Sequence, residues 1–135
     1  MTPQDIQAKL DGSPFIRFLG LTCEEMDPGA GVIVMKMPMR PELERGASSG
    51  QLHGGPVASL IDTVADFAVV MKTGAGVPTI NLRIDYLRPS TGTYLIGRAL
   101  SRRVGRTMAV VDVDVLDDQG RLTAIGRGCF GVTAG

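Results

Sequence analysis

The stretch GQLHGGPVASLIDTVADFAVVMKTG, residues 50–74, decides the fold. From Val57 to Lys72 it holds no helix breaker. Pro56 suits the first helical position because its φ is already fixed, and Gly74 and Gly76 are stop signals. A helix of that span is about 25 Å long, enough to cross a small domain. Val57, Leu60, Ile61, Val64, Phe67, Val69, Val70 and Met71 make it apolar on nearly every side, which predicts a buried helix. The exceptions are Ser59, Asp62, Thr63 and Asp66, whose i, i+3, i+4, i+7 spacing places them on one stripe. Two carboxylates on a buried helix are costly unless something useful faces them. Asp66, one turn on from Asp62, adds like-charge repulsion to the pair. At the helix start the Gly54-Gly55 pair leaves backbone N–H groups open. Together with the helix dipole they favour an anion or a developing negative charge.

Working outward, the flanks read as strands. Upstream, Thr2 and Pro3 cap a helix over 3–11 that Gly12-Ser13-Pro14 ends, and apolar Phe15 to Leu21 is expected against the core. Strands are predicted over 21–26 and Gly31–Met37, with a turn at 27–31 between them and Pro38 and Pro41 ending the second. A single helical turn over 41–44 and a loop over 45–51 lead into the central helix. Downstream, Thr79–Arg88 alternates, with Ile80, Leu82, Ile84 and Tyr86 on one face and Asn81, Arg83 and Asp85 on the other. A turn at 89–92 follows, then strands over 93–104, 107–116 and 122–132, the last two joined by a hairpin at Asp117-Asp118-Gln119-Gly120. The expected class is α+β: one domain over 1–135, its antiparallel sheet curled round one long helix.

Composition excludes several functions. Lys+Arg and Asp+Glu both total 14, so no polyanion-binding face is implied, although 11 of the basic residues are arginine, the better bidentate phosphate binder. The absence of Trp and the sparse aromatics argue against nucleic-acid recognition by base stacking. The N-terminus has no signal-peptide pattern, and no uncharged run is long enough to span a membrane. Cys23 and Cys129 lie far apart in no motif and read as free thiols of a reducing cytosol, with a bond between them left open. One histidine and two distant cysteines are too few for a zinc site, so neither metal nor cofactor is expected. A Ser-His-Asp hydrolase is not expected either, since no G-x-S-x-G elbow is read in the chain.

Residues 50–62, GQLHGGPVASLID, resemble the motif of hotdog-fold acyl-CoA thioesterases of the phenylacetate-pathway (PaaI-like) group. The likeness covers Phe15 to Thr133. It implies that Asp62 is the nucleophile or general base and that the Gly54 N–H polarises the thioester carbonyl, with Gly55 beside it. It also implies that a hydroxyl matching Thr79 approaches from the partner subunit. Arg88 and Arg106, with Thr107, are expected to meet the CoA nucleotide, the alternative being that Gly105-Arg106-Thr107 is only a hairpin turn; Asp66 is expected to face the substrate, or else to bind a loop or face the subunit interface. His53 stands beside the first turn either as a catalytic group or as a residue pinning the loop. Where many members carry Asn or Gln, six residues before the histidine, this chain has Ala47. The implied protein is a cytoplasmic homodimer, or a tetramer built from dimers, acting on acyl-CoA. Two other activities remain open: acyl-thioester binding with little turnover, and enoyl-CoA hydration or dehydration.

Overall fold

The computed structural model of the chain describes residues 1–132, so Thr133, the end of the resemblance, lies outside them. The central helix, α3, runs Gly54–Thr73. It starts two residues before Pro56, because both glycines adopt the helix and His53 takes the extended N-cap position (φ −64°, ψ 155°). Gly74 closes it at φ 81°, the left-handed conformation that favours glycine. Before it come α1 (Pro3–Gly12), α2 (Pro14–Leu19), β1 (Thr22–Asp27), β2 (Val32–Pro38) and a 3₁₀ turn at Pro41–Leu43. After it come β3 (Thr79–Tyr86), β4 (Tyr94–Val104), β5 (Met108–Asp117) and β6 (Leu122–Gly131).

The six strands form one antiparallel sheet in the order β1-β2-β4-β5-β6-β3. Strands β4, β5 and β6 are the expected meander. The 89–92 segment is not a hairpin turn, because β3 lies at the far edge of the sheet against β6 and the chain crosses over from it to β4. Helix α3 lies on one sheet face, chiefly against β4 and β5. Alternation decides which side chains meet it: Val111, Val113 and Val115 are buried while Asp114 is exposed. Leu60, Ile61, Val64, Ala65 and Ala68 of the helix are wholly buried. Two glycines let the layers close. A Cβ at Gly97 would stand 3.1 Å from Leu60, and one at Gly126 would stand 2.7 Å from the Ile61 Cγ2. A long helix covered by an antiparallel sheet is the hotdog arrangement that the resemblance implies.

Two local readings change. Residues 14–19 form α2, which turns Leu19 inward but leaves Phe15 (58%) and Phe18 (45%) exposed. Strand β3 has a bulge between Thr79 and Asn81, so the strict alternation fails and Ile80 is 57% exposed. No disulfide joins Cys23 in β1 to Cys129 in β6. Helix α3 has the length and apolar content of a membrane span, but most of it is covered within the protein.

Candidate functional site

Two cavities flank α3, one at its first turn and one along its polar stripe. The first, of about 790 Å³, is lined by His53, Gly54 and Gly55 with Arg45, Tyr86 and Arg88. The leading N–H groups of a helix have no preceding carbonyl to bond, and here no side-chain cap occupies them. The 20-residue helix adds the positive end of its dipole. The first turn can therefore bind an oxyanion. His53 is exposed and its backbone N–H donates to the Leu43 carbonyl (2.8 Å), which pins the loop to the helix start.

The second cavity, about 300 Å³, collects the whole stripe: Ser59, Asp62, Thr63 and Asp66, faced by Phe15, Ile16, Val77 and Thr79. The Thr79 hydroxyl donates to Asp62 Oδ1 at 2.8 Å. Both residues belong to one chain, which corrects the expectation that Thr79 meets Asp62 across a subunit boundary. The cause is β3 itself, whose first residue passes over the middle of its own helix. Ser59 donates back to the Gly55 carbonyl (3.0 Å) and so is partly spent on the helix. Asp66 Oδ1 accepts from the Val77 N–H at 3.3 Å. Burial pushes the Asp66 carboxyl up to about 6; the Val77 N–H opposes the rise and the Asp62 charge adds to it.

Gly54 and Asp62 do not share a cavity. They stand eight positions apart on the helix, about 12 Å along the axis. That is too far for one thioester carbonyl to touch both. Arg88 lines the first cavity, next to Gly54. Arg106 and Thr107 do not: they sit in the β4–β5 hairpin, where the Thr107 carbonyl accepts from Val132. The β6 ladder places that hairpin near Gly131 and places Arg88 near Thr123, roughly 27 Å of strand away. One chain therefore does not bring Arg88 and Arg106 to one ligand.

Two features escape a linear reading. Arg45 reaches the Gly54 cavity because its N–H bonds the Gln51 carbonyl (2.9 Å) and folds the loop back. Tyr86 donates its hydroxyl to the Gly54 carbonyl at 2.8 Å. The sequence does hold one G-x-S-x-G pattern, at residues 46–50, with Ser48 at φ 58°, but it forms an exposed loop rather than a strand-to-helix elbow. No hydrogen bond joins Ser48 to His53 among the described residues. Ala47, in the same loop, is exposed and offers no polar side chain.

A family model, the thioesterase superfamily, matches residues 49–124, from the helix approach to the last strand. This chain belongs to the thioesterase superfamily. Human acyl-coenzyme A thioesterase 13 is 31% identical to it over 126 residues, covering 90% of this chain and 87% of that protein. Escherichia coli acyl-coenzyme A thioesterase PaaI is 29% identical, covering 93% and 86%. The solved structure of that PaaI protein, from the phenylacetic acid degradation operon, superposes at a TM-score of 0.84 over 98% of this chain and 93% of that one. An X-ray structure of another thioesterase-superfamily protein reaches 0.88 at 33% identity, covering 96% and 97%. The chain is a thioesterase of the PaaI-like hotdog group.

Proposed function

We propose that this thioesterase hydrolyses an acyl-CoA at sites shared by two copies of the chain. Asp62 and Thr79 come from one copy, His53, Gly54 and Gly55 from the other. The observation that carries the reading is the separation of the two halves. The carboxylate and the open N–H groups both suit thioester hydrolysis, yet they lie about 12 Å apart in one chain. Strand β3 has one unpaired edge among the described residues, and an edge of that kind is relieved by pairing with its own copy. Two-fold pairing reverses the strand direction, so the Thr79 end of one copy meets the Tyr86 end of the other. The same operation draws Arg106 of one copy towards Arg88 of the other, as binding of one nucleotide by both requires.

The chemistry then balances. Asp62 either takes a proton from water, whose oxygen attacks the carbonyl carbon, or attacks that carbon itself and is freed by water. The carbonyl oxygen gains negative charge against the glycine N–H groups. The C–S bond breaks, the acid is released, and the thiolate takes up the proton. Phe15, Ile16 and Val77 suit the apolar part of an acyl group, aryl or alkyl. Ala47 favours a second reading, an acyl-thioester binder with little turnover, because it removes a polar positioning group.

Free-thiol release from a panel of aryl- and alkyl-CoA esters separates these readings, and binding without release favours the second. Asp62→Asn, nearly isosteric, should abolish hydrolysis and leave ligand binding close to wild type. Gly54→Pro should also be inactive: it deletes the N–H and its Cβ crowds the Tyr86 hydroxyl, while His53 already has the extended conformation that precedes proline. Co-refolding the two inactive chains should restore about a quarter of wild-type activity: half the dimers are mixed, each with one intact site of two. Asp62→Asn mixed with a bulky Thr79 variant should restore nothing, because both residues serve the same half-site. Recovery in the second mixture and not the first would overturn the assignment of halves.

A further inference from the structure

We propose that Tyr86 is a positioning residue of the carbonyl-binding turn, its hydroxyl holding the Gly54–Gly55 peptide so that the Gly55 N–H is aimed into the cavity. The proposal rests on the reading above, in which that turn receives the thioester oxygen. The Gly54 carbonyl and the Gly55 N–H belong to one planar peptide, so a bond to the oxygen fixes the direction of the N–H. A bond accepted at the oxygen also polarises the amide and strengthens its N–H as a donor. The turn needs such help. It begins a helix, where no earlier turn restrains it, and it is built from two glycines, which lose the most backbone freedom on ordering.

Tyr86 is well placed to supply the restraint. Its backbone is set by the ladder to Ala124, and the next residue, Leu87, donates to the Thr123 carbonyl at 2.9 Å. Its hydroxyl donates to the Gly54 carbonyl at 2.8 Å. The ring also claims the space beside the glycine: a Cβ at Gly54 would stand 3.3 Å from the hydroxyl oxygen and 3.4 Å from the ring carbon that bears it. Position 54 is therefore glycine partly to admit the phenol. Strand β3 thus holds the helix at two points, Thr79 on Asp62 and Tyr86 on Gly54.

Tyr86→Phe removes the hydroxyl and keeps the ring. We expect kcat for a cleaved acyl-CoA to fall about tenfold, less than the hundredfold or more that follows loss of a direct oxyanion donor. KM and the thermal midpoint should stay close to wild type. In ¹⁵N-labelled protein the Gly55 amide should exchange with solvent faster and shift in resonance, with other helix amides unchanged. This second readout needs no turnover, so it still decides the matter if no CoA ester is cleaved and the proposed activity fails. A Phe variant with wild-type kcat and an unaltered Gly55 amide would overturn the proposal. So would a fall in the thermal midpoint with kcat unchanged, which marks a purely structural contact.

Discussion

Asp66→Asn is the substitution whose effect can be worked furthest from the structure. The side chain keeps its size, and an amide oxygen can still accept the Val77 N–H. What disappears is an ionisation that burial opposes. The carboxyl is pushed from 3.8 to about 6. Each unit corresponds to about 1.4 kcal/mol, so the full cost of charging it in the folded state is about 3 kcal/mol. The carboxyl still meets cavity water, and screening brings the expected figure down to about 1–2 kcal/mol. The sign follows from linkage. The folded state holds this proton more tightly than the unfolded chain, so the cost is absent where both are protonated and grows as pH rises from about 4 through 6. The variant should therefore be more stable than wild type at pH 8. Near pH 4.5 the gain should shrink to about a third. For a domain of this size the gain at pH 8 corresponds to roughly 3–8 °C in Tm. Thermal or urea unfolding at the two pH values measures it. An equal gain at both would mean that packing, not ionisation, is responsible, and a loss at pH 8 would mean that the carboxylate is held charged.

Arg88→Ala and Arg45→Ala should raise KM for acyl-CoA several-fold while changing little for an acyl-pantetheine, which lacks the nucleotide phosphates; equal losses on both substrates would make these arginines structural. Arg106→Ala should behave the same way only in the dimer that brings it to Arg88. Gly126→Ala should lower stability by about 1–3 kcal/mol, because its methyl must displace Ile61 from a packed core; unchanged unfolding midpoints would mean that helix and sheet can separate there.

The sequence made the helix and strands legible because each rests on a local period. An apolar run without breakers between glycines has few alternatives to a buried helix, and the alternation after Gly76 has few alternatives to strands. The polar stripe was equally legible: Ser59, Asp62, Thr63 and Asp66 line one cavity, as their spacing requires. The misses involve partners that no period encodes. That β3 pairs with β6 rather than β4 is decided by the whole sheet. Arg45 reaches the first turn through a loop bond. Tyr86 reads as a core-facing residue by alternation, yet the helix begins beside the end of its strand and leaves its hydroxyl free to meet Gly54. The motif itself invites one further misreading. HGGPVASLID is contiguous, so its glycine and its aspartate look like parts of one centre. Helical rise sets them about 12 Å apart. In the proposed dimer, contiguity in sequence describes two half-sites on one rigid rod, each completed by the other end of a second rod. Thr79 belongs with Asp62 for the same reason that Tyr86 belongs with Gly54: one strand, laid along the helix, touches each half-site with one of its ends.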